Sequence, residues 1–365
     1  MLIKRDVYCL LGLPFDNTSL NNAVGHLSDV IDAQESCFLS TPNLNFVVAA
    51  HSDQAFYNSV VESDFVIVDG MPLIWVAKLL GLPFKERVAG STLFNELQKI
   101  QVDKPMKVFF FGGESGIAEL AHNQLNITYS AIESCGFYDP GFVPVDEMSS
   151  PEIIDKINQA APDFVLVALG AKKGQAWIQA NRGQITAPVI SHLGAVINFV
   201  AGHLVRAPER WQNLGLEWLW RIKEEPSLWK RYGTDGLCFA RMILLQVLPL
   251  AIYDRVLLRR YHHQKGYQFE QTHDNKVRLS INGSVSICEI EQLKVILEAT
   301  LVEFSSDVVI NCLKLRYIDS AFIGTLLLYQ SQLNQQGRHL SLSQVNKSVR
   351  RILGFNNVSK RFEII

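Results

Sequence analysis

From Asp6 to about Gly202, short apolar runs alternate with stretches of helix length in which apolar positions recur every three or four residues. A strand covered on both faces reads as an unbroken apolar run, and the helix that covers it shows one apolar stripe, so the pattern predicts a parallel sheet with crossover helices. The predicted strands are Val7 to Leu11, Cys37 to Leu39, Phe65 to Val68, Val108 to Phe111, Phe164 to Leu169 and Val189 to Ser191. Turn or cap chemistry follows, as Pro42-Asn43, Asp69-Gly70, Gly112-Gly113, Gly170 and Gly194. Ligands of open α/β sheets collect at the carboxyl ends of the strands, so these loops are where chemistry is expected.

Between Ala207 and Tyr261 the strand pattern stops, and Trp211, Trp218, Trp220 and Trp229 appear among many Arg and Lys residues. This predicts a basic, aromatic helical appendage. Its longest apolar stretch, Met242 to Ile252, is broken by Gln246 and Pro249 and flanked by Arg241 and Asp254. It falls short of the roughly 20 apolar residues of a spanning helix, and fits a helix lying in a membrane interface or packed on another subunit. Tyr261 to Asp274 is polar, contains His262-His263 and reads as a linker. Strand-like Val277 to Ile281, helix-like Glu289 to Phe304, strand-like Val308 to Asn311, helix-like Ser320 to Gln335 and strand-like His339 to Leu342 then form a second α/β unit.

Composition agrees with two cores: 365 residues, 48% hydrophobic and 19% charged. Part of the slightly positive mean hydropathy of +0.10 lies in the appendage. The formal net charge of -2 lacks the basic excess that nonspecific nucleic-acid binding favours, so no nucleic-acid partner is expected. Six cysteines without CxxC spacing suit buried thiols in a reducing compartment, which predicts a cytoplasmic protein without a zinc site. The short apolar run before Pro14 is followed by Asp16 and Asn17 without a small-residue cleavage site, and reads as a first strand rather than an export signal.

Several residues at predicted strand ends carry two readings each. Asp69 before Gly70 is ordinary turn or cap chemistry, or a general base at the rim of a cleft. Phe110-Phe111-Gly112-Gly113-Glu114-Ser115-Gly116 is a tight strand-to-helix turn, or a phosphate site built from backbone N–H groups. Thr41-Pro42-Asn43 is a helix cap or a polar ligand contact. The Arg and Trp residues of the appendage suit a core with surface ion pairs, or a lipid interface and a diphosphate. His262-His263 lack a third ligand at recognisable spacing, so no metal is assigned. Ser320 after Asp319 reads as a helix N-cap, and a phosphoryl group there would place charge against a helix start.

In order, Thr41-Pro42-Asn43, Asp69-Gly70, Glu86-Arg87-Val88-Ala89-Gly90-Ser91, Phe111-Gly112-Gly113, Pro162-Asp163, Arg206-Ala207-Pro208, Gly215-Leu216-Glu217-Trp218, Arg221 and Glu225-Pro226 resemble the WecG/TagA/CpsF glycosyltransferases (family 26) over roughly residues 5 to 232. The resemblance implies a Rossmann-like fold and inverting transfer of a sugar, of N-acetylmannosamine type or related, from a UDP-sugar to a polyprenyl-diphosphate-linked acceptor in surface polysaccharide or teichoic acid type synthesis. It implies Asp69 as general base with Thr41 and Asn43 beside it, and Arg87, Gly90, Ser91, Gly112, Gly113, Gly170, Lys173 and Gly194 around the donor nucleotide. Arg206, Arg221 and Arg231 would hold diphosphate, so that neither metal nor cofactor is expected. Two departures stand out. The family's Gly-x-Pro-Lys-Gln-Glu run is Gly170-Ala171-Lys172-Lys173-Gly174-Gln175 here, and Asn198 replaces a frequent Asp. A changed donor preference, or a decayed enzyme acting by partner binding, is the alternative they raise.

Val277 to Ile365 resembles a STAS domain through Val308-Val309-Ile310-Asn311, Ile318-Asp319-Ser320-Ala321-Phe322-Ile323-Gly324 and the apolar strand after Gly337. Such domains are interaction modules, which implies a regulatory role for Ser320 and a protein partner or kinase. The expected organisation is a Rossmann-like core over 1–205, the appendage over 206–262, a linker over 263–274 and a STAS-like regulatory domain over 275–365. The molecule is expected to sit peripherally on the inner face of the cell membrane, in contact with donor, lipid-linked acceptor and membrane surface; self-association is a further expectation.

Overall fold

A computed structural model of the chain describes residues 4–100, 104–127, 131–261, 267–273 and 276–365. The chain divides into two compact units, one of Thr18–Ile74 and Lys85–Asp235, the other of Met1–Asn17, Trp75–Phe84 and Gly236–Ile365. The His262-His263 pair lies outside the described residues.

The first predicted strand is corrected. Val7 to Leu11 is no part of a parallel sheet: β1 (Val7–Leu10) and β2 (Leu13–Asp16) form a two-stranded antiparallel hairpin in the second unit. Its turn residues Leu11 and Gly12 both have positive φ, 51° and 92°, as a two-residue turn matching the twist of its strands requires. Leucine in place of the usual Asn or Asp hides this turn from sequence reasoning.

The first unit carries the expected parallel α/β sheet. Its strands are β3 (Cys37–Ser40), β4 (Phe65–Val66), β5 (Met106–Gly112), β6 (Ile132–Tyr138), β7 (Phe164–Ala168) and β8 (Val189–His192), in the order β4-β3-β8-β7-β5-β6. All pairings are parallel. Alternation along β5 builds both layers: Val108 and Phe110 join the core containing Leu39, Leu166 and Val189, while Phe109 and Phe111 join the one containing Val165, Val167 and Trp177. Edge strand β6 escapes prediction because Glu133, Ser134 and Gly136 interrupt its apolar pattern. Short helices Glu209–Asn213 and Glu217–Glu224 follow.

The second unit contains β9 (Tyr267–His273), β10 (Val277–Val285), β11 (Val308–Asn311), β12 (Leu315–Ile318), β13 (Leu340–Ser343) and β14 (Glu363–Ile364). The sheet order is β12-β10-β11-β13-β14, parallel along that path, with β9 antiparallel to β10. The expected linker thus contains a strand. Helices Ile290–Glu303, Ser320–Gln335 and Lys347–Phe355 complete the α/β unit.

The appendage is helical as expected, and longer in helix than its apolar run implied. Residues Pro226–Leu257 form one helix of 32 residues, long and apolar enough to cross a membrane by length and composition, with 22% of its most apolar window buried. Gln246 and Pro249 do not end it; a π-helical segment, Ile243–Val247, precedes Pro249 and absorbs the irregularity.

Candidate active site

The site builds up from the carboxyl ends of β3, β4 and β8. After β3 the chain turns through Thr41 and Pro42 into Asn43, whose side chain caps helix Leu44–Ser52 by accepting from Phe46 N–H at 3.3 Å. After β4 the backbone of Asp69 donates to the Pro42 carbonyl at 3.0 Å. This ties the two strand-end loops together. A Cβ on Gly70 would lie 3.5 Å from Asn43 Cβ, and one on Gly90 would lie 2.5 Å from Leu193 Cδ2 and 3.6 Å from Thr41 Oγ1. A side chain at 90 would have to displace the end of Leu193, and Thr41, Asn43, Asp69 and Gly90 share one small volume.

Asp69 is partly buried and accepts one backbone hydrogen bond, from Gly90 N–H at 3.3 Å at the start of helix Gly90–Leu97. Burial pushes its carboxyl above the ordinary carboxylate range; Arg87 opposes this, Glu217 reinforces it, and the Gly90 N–H and Arg221 oppose it further. Arg87 pairs with Glu217 at 2.8 Å, both side chains being less than a fifth exposed. Arg206 donates to Thr92 Oγ1 at 2.5 Å, and its buried Nε has no partner among the described residues. Burial lowers the pKa of Arg206, with Glu217 opposing that shift, Arg87 adding to it and Asp69 opposing it. One carboxylate thus sits in the field of three guanidinium groups, two of them supplied by the segment after the sheet.

The glycines of the other strand ends have the conformations such turns require. Gly112, Gly113 and Gly170 have φ of 91°, 104° and 75°, and a Cβ on Gly112 would come within 2.8 Å of the Ala168 carbonyl. Gly194 opens the short helix after β8, and Ser91 lies in the first turn of helix Gly90–Leu97. Two predicted residues are engaged elsewhere. Lys173 donates to the Val143 carbonyl at 3.1 Å, and Arg231 lies over the ring of Tyr232 in helix Trp229–Met242. The structure gives neither a contact with Asp69.

The altered run after β7 has a structural counterpart. A Cβ on Gly174 would fall 2.3 Å from His192 Cδ2, so the histidine ring fills the space that any larger residue at 174 would need. His192 is buried with Nε2 unpartnered among the described residues, and burial pushes it down to about 4, which keeps it neutral. Gln175 donates to Ser40 Oγ at 2.8 Å. Sequence reasoning named no role for His192 or Glu217; the signals were a histidine at a strand end and, for Glu217, its place in the Gly215-Leu216-Glu217-Trp218 motif. No cluster of three His, Cys, Asp or Glu able to hold a metal occurs among the described residues.

Residues 8–251 match the model of the glycosyl transferase WecG/TagA/CpsF family, and residues 269–362 match a STAS domain model described as Mlab. The first match spans well over half of the chain, which belongs to that family of glycosyltransferases. Similar proteins include the N-acetylglucosaminyldiphosphoundecaprenol N-acetyl-beta-D-mannosaminyltransferase of Bacillus spizizenii, 29% identical over 220 residues, covering 60% of this chain and 84% of the relative. The enzyme of the same name from Staphylococcus aureus is 26% identical over 226 residues, covering 61% and 86%. The chain is thus a glycosyltransferase with a C-terminal STAS domain.

Proposed function

We propose that the chain moves a sugar of N-acetylmannosamine type from a UDP-sugar to a hydroxyl of a sugar carried on a polyprenyl diphosphate, with inversion at the anomeric carbon. The observation that carries this reading is Asp69 at a parallel-sheet strand end among Arg87, Arg206 and Arg221, with the other carboxylate there, Glu217, paired to Arg87. Asp69 takes the proton of the acceptor hydroxyl as its oxygen bonds to the anomeric carbon. The bond from that carbon to the diphosphate breaks, and UDP departs with the charge. Guanidinium groups are suited to that diphosphate, because their planar donors match phosphate oxygens and remain charged when buried. Arg206 Nε, which has no partner among the described residues, supports this assignment as a donor to such an oxygen, and on this reading no resident metal is needed. Thr41 and Asn43 orient the reacting groups, and the glycines at 112, 113, 170 and 194 leave room for the nucleotide. Asp69→Asn tests the assignment: sugar transfer is expected to fall by about a thousandfold while UDP-sugar binding stays. Transfer at the native rate in that variant defeats it, and no turnover of any nucleotide sugar by the native chain favours the binding-protein alternative.

The same reading places the enzyme on the cytoplasmic side of the membrane, where a lipid-linked acceptor and a soluble nucleotide sugar meet. Trp211, Leu214, Trp218 and Trp229 are exposed in one unit, and Leu244, Leu245, Ile252 and Val256 in the other. Exposed tryptophans and leucines among arginines are the chemistry of a headgroup boundary.

A further inference from the structure

Helix Ser320–Gln335 is buried at every position from Ala321 to Tyr329. A helix lying on one face of a sheet buries only a stripe, so nine consecutive buried residues require a second cover. The hairpin of β1 and β2 provides it. Every residue of both strands is buried, and Cys9, Leu10, Leu13 and Phe15 are wholly inaccessible. On the hairpin's own side, Tyr8 and Phe15 meet Phe84 edge to face at 5.7 and 6.4 Å, and Arg5 pairs with Asp16 across the strands.

Two positions in the helix are shaped for this contact. Ser320 Oγ donates to the Cys9 carbonyl at 2.5 Å. Gly324 sits inside the helix, where glycine is disfavoured, and a Cβ there would meet Cys9 N at 3.1 Å, Tyr8 C at 3.2 Å and the Val7 carbonyl oxygen at 3.2 Å. All three are backbone atoms, so the hairpin's main chain lies against the helix where a side chain is missing. Ser320 is not the helix cap expected from sequence: Asp319 accepts from Phe322 N–H at 2.9 Å and fills that role. From residue 8 onward the hairpin also falls within the glycosyltransferase match, although it shares its compact unit with the STAS-matched residues.

We propose that the face of helix Ser320–Gln335 around Ser320 and Gly324 is a binding site for a β-hairpin whose resident ligand is residues 6–17 of the same chain. The STAS domain thereby serves as the clasp of the transferase's own N-terminal segment, and an outside protein that takes up the Ser320 hydroxyl does so at the cost of the hairpin's hydrogen bond to it. Cys9 reports the state directly, being wholly buried at the contact, whereas Cys288 is exposed and Cys312 is buried in the small domain's own core. In the full native chain, N-ethylmaleimide followed by peptide mass spectrometry is expected to label Cys288 and spare Cys9 and Cys312. Gly324→Val is expected to raise the labelling rate of Cys9 at least tenfold while Cys312 stays protected. Should that variant expose Cys312 as well, Ser320→Asp decides, since it sets a carboxylate against the Cys9 carbonyl without adding bulk at 324. Cys9 as reactive as Cys288 in the native chain overturns the proposal, and so does a Cys9 that stays protected in the deciding variant.

Discussion

Two aspartates in this chain stand at the same kind of place, just after a parallel strand and just before a helix, and they have different fates. Asp319 follows β12 and gives both oxygens to backbone donors, Phe322 N–H at 2.9 Å and Ile287 N–H at 2.7 Å. Asp69 follows β4 and accepts one bond, at 3.3 Å, with Arg87, Arg206 and Arg221 in its field. Burial raises both carboxyls, Asp319 to about 6. A raised pKa therefore does not separate a reactive carboxylate from a structural one. Unused hydrogen-bonding capacity and the charge of the neighbours do, because a general base needs a free lone pair and a leaving diphosphate needs cations.

The paired substitutions are the hardest test of that contrast. With Asp69→Asn, sugar transfer is expected to fall by about a thousandfold, within the usual range for a general base, and the melting temperature to hold. With Asp319→Asn, one backbone donor loses its acceptor, so the melting temperature is expected to drop and the turnover number to stay within about twofold. Equal losses of activity in the two variants would erase the distinction. Next in size is Arg206→Ala, expected to lower kcat/KM by about a hundredfold, the usual loss when one electrostatic contact to developing charge is removed. An Arg231→Ala variant, whose guanidinium lies over Tyr232, is expected to change it far less. Smaller again is the effect of Leu244→Glu with Ile252→Glu: binding to anionic vesicles, read by sedimentation, is expected to weaken severalfold while a water-soluble acceptor analogue is still turned over. Unchanged sedimentation would remove this helix from membrane attachment.

The sequence made the site legible to different depths in the two units. Five of the six expected strands lie in the parallel sheet, because runs such as Phe164 to Leu169 are apolar on both faces and nothing competes with that pattern. Asp69, Thr41, Asn43 and Gly90 were nameable through their motifs, and the structure brings them together. Lys173 was nameable too, but its bond to the Val143 carbonyl was not, since a long side chain's destination is not a local property. The hairpin was unreadable for a different reason. Its Leu11-Gly12 turn resembles the middle of an apolar strand, and its cover is a helix more than 300 positions away, beyond the reach of any local signal. His192 against Gly174 is the same case, a fit between residues on separate elements.

The finest test of the contrast is stability against pH. The folded-state pKa of Asp319, about 6, lies above its ordinary value of 3.8, so the folded chain holds this proton more tightly than the unfolded chain does. The stabilisation is fully present below about pH 4 and is lost as pH rises through about 6. At about 1.4 kcal/mol for each tenfold difference in proton affinity, its size is at most about 3 kcal/mol, reduced by whatever compaction the unfolded chain retains. Urea unfolding of the native chain and of Asp319→Asn at pH 4.5 and pH 7 reads it together with its coupling to Asp254, whose carboxyl burial and the charge of Asp319 push up to about 7. The native chain is expected to lose more stability than the variant between those two values. A gap between them that stays constant with pH would mean that the two N–H donors outweigh burial and that Asp319 remains ionised throughout. In that event the two aspartates would differ in the effect of burial as well as in hydrogen bonding, and Asp69 alone would carry a carboxyl raised above the ordinary range.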